Sequence, residues 1–511
     1  MMSHSKRWLH FSRERFKLPT AALWFLTALA GFGFYVSLVP LPPNDFWWHL
    51  KIGELIYTTG VIPTTNMFAW TLPADAPFFY GAWLGQWLLY VLYRWGGVAL
   101  LLFVRTVMVV AAFGLIGAEA KRQSASWRLA ALALTFACLM SLNNLIVRPQ
   151  MWSWVPFVLN IVLLRRYADG ALRGRWLLLC PLLMIFWVNV HGAFILGLVL
   201  LGIFTVGEAM RTWLKLAGAR MWREVGWLAA IGGVTGLVTL VNPRFVDIVN
   251  YVMGLMTDPP SQQLIIEWQS PTPTGIANVA FYGSVLILLL VLAYSHYRPT
   301  PTEALLVIGF LWLAWNGQRY VVWFGMTTMP LLARALKGLP LHISKFTTQR
   351  NFANVVLAVL PFAPVILVQP WWVEAMPLPA PYWTQVWRDA PEGPLLAVAT
   401  PLEAVTYLKA HPGGKLFNEM SFGSYLIWAL PEQQVFIDPR VELYPYTQWE
   451  DYIQIGRGTR SLELLSAYGV DRVLLDVELQ EELLYVLESA PDWWCEYADE
   501  HTQIWLEFLS R

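Results

Sequence analysis

The chain has 511 residues, of which 57% are hydrophobic and only 14% charged, and its mean hydropathy is +0.48. A soluble domain carries about 25% charged residues, so one soluble domain, a disordered chain and a nucleic-acid binder with a basic footprint are all excluded. The formal net charge of +1 hides a split: residues 352–511 hold 22 Asp/Glu against 8 Lys/Arg, while residues 1–351 hold 12 against 27. That asymmetry predicts two parts in different surroundings.

At the start, Lys6, Arg7, Arg13, Arg15 and Lys17 form a basic segment, 1–18, before an uncharged run from Leu18 to Asn44. The run is longer than a signal-peptide core and no small-x-small site closes it, so it reads as a first span that stays. About 20 apolar residues cross a hydrocarbon core. By charge-free length, 11 candidate spans fall at 19–40, 97–118, 129–147, 150–164, 176–190, 192–208, 225–242, 278–295, 304–317, 320–336 and 352–370. Several are short enough to be tilted or broken. Between the first two lies a large loop, 41–96, whose stretches 45–58 and 81–94 read as helices on the membrane surface. The second stretch, AWLGQWLLYVLYRW, also reads as a short span, at the cost of the charge bias described next.

With the N-terminus inside, the inside segments carry 21 Lys/Arg and the outside segments before residue 352 carry five, namely Lys51, Arg94, Arg148, Arg244 and Arg319. The positive-inside rule then puts the N-terminus in the cytoplasm and residues 380–511 outside the plasma (inner) membrane. In that last part VFID at 435–438 and RVLLD at 472–476 read as buried strands. EAVTYLKA at 403–410, SLELLSAYG at 461–469 and LQEELLYVLE at 479–488 read as helices. The expected fold class is a mainly α polytopic membrane protein, membrane part 19–370, with a C-terminal α/β extracytoplasmic domain. Cys138 and Cys180 lie in apolar runs, Cys495 stands alone in the acidic part, and no metal-type cysteine spacing occurs.

The outer ends of the spans collect Asp45 and His49 in PPNDFWWHLKIGE, Arg148 before Pro149, Asn189 and His191 in WVNVHG, Arg244 in VNPR, Glu267 in IEWQSP and Arg319 in NGQRY. Ionisable groups at membrane depth are costly and mark pathways or sites. Asp45 follows Pro42–Pro43 and has a competing reading as a helix cap. If the helix starts there, Asp45, Trp48 and His49 share a face, a pairing that suits general-base work or a structural hydrogen bond. His191 reads equally well as a satisfied turn histidine. Arg105, the one basic residue inside a span, needs an anionic partner. Guanidinium groups converging with one acid suit a phosphate-bearing lipid, because arginine contacts phosphate through a planar fork. Phosphate loops, dinucleotide glycine fingerprints, HExxH and GxSxG are absent from the sequence.

The run DFWWHLKIGELIYTTGVIPTTNMFAWT, then WLGQWL at 83–88, Arg148–Pro149 and Asn189-Val190-His191-Gly192, resembles bacterial polytopic glycosyltransferases of the GT-C class, near the protein mannosyltransferase and lipid A aminoarabinose transferase group. The resemblance covers about residues 20–340. FNEMSFGSYLIWALPEQQVFIDPRVELY looks like domains appended in a bacterial branch of such families. It implies transfer of a sugar from a polyprenyl-phosphate donor in the membrane lipid to an acceptor on the outer face. The class acid maps onto Asp45, with His49 beside it. The donor-phosphate groups map onto Arg105, Arg148, Arg244 or Arg319, and Asn189, His191 and Glu267 form the remaining substrate-binding set. A single Asp replaces the commoner paired acidic motif, so no metal ligand set is assigned and a divalent cation is optional. Two rivals remain at this point: a transporter or flippase of lipid-linked sugars, and a non-catalytic subunit of a membrane complex.

Overall fold

The computed structural model describes residues 18–340, 350–369 and 395–508. The basic segment before Leu18 and the predicted start of the C-terminal domain at 380 lie outside the described residues. The first part of the chain is helical: α1 Thr20–Leu38, α2 Phe46–Thr59, α3 Trp83–Ser124, α4 Trp127–Met140, α5 Met151–Ala168, α6 Leu179–Val190, α7 Ile195–Trp213, α8 Trp222–Val238, α9 Asp247–Leu255, α10 Pro259–Leu264, α11 Gly275–Tyr294, α12 Pro301–Asn316 and α13 Val321–Lys337. Among the described residues four helices are long and apolar enough to cross a membrane by length and composition: Thr20–Leu38, Trp83–Ser124, Gly192–Trp213 and Gly275–Tyr294. Shorter apolar helices fill other predicted ranges, among them Trp127–Met140, Gly174–Val190 and Ala353–Leu367.

The predicted surface helix at 81–94 and the span at 97–118 are joined in α3, which breaks at Gly96–Gly97. Gly97 has φ +59° and ψ −156°, a conformation that a Cβ makes costly. The glycine pair therefore lets one continuous element change direction at this point. At Gly53 a Cβ would lie 2.2 Å from the Gln86 carbonyl oxygen. The bare glycine allows α2 to rest against the first half of α3.

The helix interior is filled by large aromatics, with Trp154, Trp187, Trp323, Phe157 and Phe310 fully buried. Phe157 meets Trp323 edge-on at 4.8 Å between ring centroids, a favoured quadrupole geometry. Many basic residues counted as inside are paired. Arg122 and Arg166 meet Glu119, Arg211 meets Glu208 at 2.9 Å, and Arg165 and Arg334 flank Glu303.

The C-terminal segment holds a four-stranded sheet built from β3 Leu416–Asn418, β4 Arg472–Asp476, β5 Trp493–Ala498 and β6 Thr502–Glu507, in the spatial order β3-β4-β6-β5. A two-residue pair, β1 Leu18–Pro19 with β2 Arg350–Asn351, lies elsewhere. β3 and β4 are parallel, and the remaining pairs are antiparallel. The helices Leu402–Ala410, Ser461–Tyr468 and Glu481–Ser489 match the predicted ones, and Met420–Ala429 and Tyr446–Gly456 add to them. The strand predicted at 435–438 is not a sheet strand. Its backbone turns to the first loop, where Val435 N donates to Phe68 O at 2.9 Å and Trp70 N donates to Val435 O at 3.1 Å. A second bridge joins Leu41 to Leu396. Residues 41–82 thus form the bed on which the C-terminal segment lies.

Candidate active site

Asp45 occupies the cap position of α2, yet its side chain makes no capping hydrogen bond. Asn44 Oδ1 accepts from Phe46 N instead, at 3.2 Å. The carboxylate is thereby left to the cavity it lines. One turn on, His49 Nε2 stands 3.8 Å from Asp45 Oδ2. Gln86 Nε2 lies 2.9 Å from His49 Nδ1, and a glutamine that donates there keeps the imidazole proton on Nε2, facing Asp45. Burial pushes the Asp45 carboxyl up, but His49 and the Arg148 and Arg319 charges outweigh it and hold the group below the ordinary carboxylate range. Burial pulls His49 below the ordinary imidazole value despite Asp45.

Arg148, in the turn before α5, is 8% exposed. Its Nε donates to Gln150 Oε1 at 2.9 Å, and its Nη1 meets both Glu267 oxygens at 3.0 and 2.8 Å. The same nitrogen is 3.9 Å from Asp45 Oδ2. Its Nη2 is buried without a hydrogen-bond partner among the described residues. Arg319 stacks over Trp268, with the guanidinium carbon 4.1 Å from the ring centroid, and no carboxylate among the described residues pairs with it. Burial and the neighbouring Arg148 charge pull its pKa down from the ordinary guanidinium value. Both arginines thus hold unspent donors and face the same space.

His191 closes the turn after α6. Its Nδ1 accepts from Ala193 N at 3.1 Å, so the neutral ring carries its proton on Nε2. Burial, with Arg319 and Arg148 nearby, holds His191 well below its ordinary value. It is a satisfied turn histidine on one nitrogen and a donor to the site on the other.

Asp45, His49, Arg148, His191, Glu267 and Arg319 line one cavity of about 550 Å³. Trp48, Tyr80, Trp268, Tyr320 and Trp323 add aromatic faces to its wall, and Ile195, Leu196, Val199, Leu264 and Leu313 add an apolar flank. Three predicted residues are placed elsewhere. Arg105 is fully buried against the end of α1, where Nη2 donates to the carbonyls of Val36 and, at 2.8 Å, Val39; helix-end carbonyls stand where an anion was expected, while Nε and Nη1 have no hydrogen-bond partner among the described residues. Asn189 accepts from Trp83 Nε1 and donates to Val241 O, both at 2.8 Å, bracing the cavity from behind. Arg244 lies over Phe79 at 5.7 Å and outside the lining.

Sequence reading missed the part of the wall built by distant segments. Tyr251 on α9 donates to Glu442 Oε1 at 2.6 Å, and both line the cavity together with Met420, Ser421 and Val441. Burial pushes the Glu442 carboxyl up, against the Tyr251 hydrogen bond. The run Asp438, Arg440 and Glu442, which the sequence offers as a candidate acceptor contact in FIDPRVELY, divides accordingly. Asp438 and Arg440 pair with each other at 2.7 Å, both fully buried, while Glu442 reaches the cavity.

Neither a protein-family model nor any curated protein sequence matches the chain. Among solved structures, the archaeal oligosaccharyltransferase AglB from Archaeoglobus fulgidus, in complex with an inhibitory peptide and a dolichol-phosphate, aligns at a TM-score of 0.50 and 12% identity, over 89% of this chain and 70% of that one. The fold is GT-C-like. ArnT from Cupriavidus metallidurans bound to undecaprenyl phosphate aligns at a TM-score of 0.48 and 13% identity, over 95% of this chain and 96% of that one.

Proposed function

We propose that this chain is a membrane glycosyltransferase that moves a sugar from a polyprenyl-phosphate donor to an acceptor on the outer side of the plasma membrane. The carrying observation is the single cavity that joins a carboxylate, two arginines with unspent donors and an apolar flank. A sugar phosphate with the start of a lipid chain offers the complementary sequence of groups. The GT-C-like fold and the dolichol-phosphate bound by the archaeal relative support the same reading.

In this reading the donor phosphate lies against Arg319 and Arg148 Nη2, through charge-assisted hydrogen bonds. The isoprenoid begins along Ile195, Leu196 and Val199. The acceptor enters beside Asp45, under Glu442 and Tyr251, so the C-terminal segment helps hold it. The acceptor oxygen or nitrogen attacks the anomeric carbon, the bond from that carbon to the phosphate oxygen breaks, and the electron pair leaves on the phosphate. The guanidinium groups stabilise that growing charge. Asp45 takes the acceptor proton. A carboxylate held this low is ionised at neutral pH, and it takes the proton late, once bond formation has acidified the acceptor. His49 Nε2–H orients it. A flippase would use the same cations but needs no acid aimed at the reacting carbon, and Asp45, free of its capping duty, favours transfer.

The test is the lipid that purifies with the protein in native membrane discs, identified by mass spectrometry. The reading expects polyprenyl phosphate or its sugar ester on the wild type, and less of it on Arg148→Gln/Arg319→Gln. Equal amounts on both, or none on the wild type, would count against it.

A further inference from the structure

We infer that Arg148 is a built-in cation: its guanidinium fills the place that a divalent metal would take between Asp45 and Glu267. A divalent cation in such a site needs several oxygen ligands, two carboxylates being a common core of the set. Here Asp45 and Glu267 both meet the Arg148 guanidinium, and His49 stands 3.8 Å from Asp45. Between the two carboxylates lies Arg148 Nη1, 2.8 and 3.0 Å from the Glu267 oxygens and 3.9 Å from Asp45 Oδ2. Among the described residues no group of three or more His, Cys, Asp and Glu closes around a shared point. The guanidinium contacts both carboxylates in place of a shared ion. The donor set therefore does not fit a resident metal while Arg148 is in place.

Charge supports the same conclusion. Arg148 and Arg319 balance Asp45 and Glu267, so the protein neutralises its own carboxylates before any ligand arrives. A dication added between the two carboxylates would meet a guanidinium and would have to displace an ion pair whose arginine is nine-tenths buried, a costly exchange. The second guanidinium nitrogen, Nη2, remains without a partner and supplies to a phosphate oxygen what a metal would otherwise supply. A fixed organic cation does this without the loss and reloading that a weakly held ion undergoes.

The test reads Mn²⁺ binding by electron paramagnetic resonance on the full chain in membrane discs, with the metal alone as probe. Wild type should bind no Mn²⁺ that the Asp45→Asn variant fails to bind. Arg148→Met removes the charge and keeps most of the volume, and it should gain an Mn²⁺ site at least about tenfold tighter, since ligand charge sets affinity at such sites. Arg148→Gln, which can still donate to Glu267, is the second variant and should show the same gain. Adding Asp45→Asn to either should remove it. An Asp45-dependent Mn²⁺ site on the wild type overturns the inference without reference to any Arg148 variant. So does a folded Arg148 variant with no gain. The inference shares its site with the transfer reading, but no sugar, lipid or acceptor enters this assay, so a failure of that reading would appear elsewhere.

Discussion

Removing the Asp438 carboxylate should loosen the C-terminal segment from the first loop. Asp438 accepts from Arg440 N, Nε and Nη2 and from the Tyr444 hydroxyl. Arg440 in turn donates to Tyr80 OH at 3.1 Å and lies over Phe68 and Phe78 at 5.3 and 5.4 Å. Both charges are fully buried. Burial alone would lower the guanidinium pKa, but Asp438 beside it wins and raises it. Asp438→Ala leaves that charge stranded between two aromatic rings, and breaking such a pair from one side costs about 3–5 kcal/mol. The open form of the Ala69–Val435 bridge should then rise by roughly 10²- to 10³-fold. Hydrogen exchange at Trp70 N and Val435 N reads this directly, because both amides bond across the junction. Asp438→Ala/Arg440→Met removes both charges and should recover a large share of the protection. Equal exchange in wild type and Asp438→Ala would refute the assignment, as would a double variant no better than the single.

The other expectations concern the cavity. Asp45→Asn should abolish transfer and keep the bound lipid, because Asn44 rather than Asp45 caps α2. Since Asp45 is held low, the acid limb of the rate profile should fall below the ordinary carboxylate value of about 3.9; a limb above that value would take the proton away from Asp45. The Asp45 contribution to stability has the same sign, present above its unfolded value and lost as pH falls through the depressed one. Arg319→Met removes charge-assisted bonds worth about 1.5–3 kcal/mol, so lipid-phosphate retention, read by mass spectrometry, should drop by roughly 10- to 100-fold. Gly53→Ala places a Cβ 2.2 Å from a backbone oxygen that cannot rotate away; α2 should shift, with a thermal destabilisation of about 1–3 kcal/mol and loss of transfer.

Hydropathy and charge made the helices legible, since apolar length leaves a mark on the sequence that does not depend on partners. The polar residues at helix ends were legible for a related reason. Asp45, Arg148, His191 and Arg319 each sit where a helix starts or stops, and the breaks around them bring those ends to one level. Arg105 shows where that reasoning fails: a buried guanidinium can turn one nitrogen to helix-end carbonyls rather than to an anion, and no local pattern announces that Val36 and Val39 will supply them. Asn189 and Arg244 likewise took partners, Trp83 and Phe79, that lie over 100 residues away. Tyr251 was invisible because its meeting with Glu442 depends on how the C-terminal segment lies on residues 41–82. The same docking explains the strand that did not form at 435–438, whose hydrogen bonds go to Phe68 and Trp70 rather than into the sheet.

The most direct measurement of the central claim follows the sugar. Wild type and Asp45→Asn are reconstituted in vesicles with a polyprenyl-phosphate hexose radiolabelled in the sugar and an extract of envelope acceptors. The account predicts that wild type frees polyprenyl phosphate while label moves to a non-lipid product in equal amount, and that Asp45→Asn does neither although it retains the lipid. Label that crosses the bilayer still attached to its lipid phosphate, at the same rate in both proteins, would contradict it and establish a transporter instead.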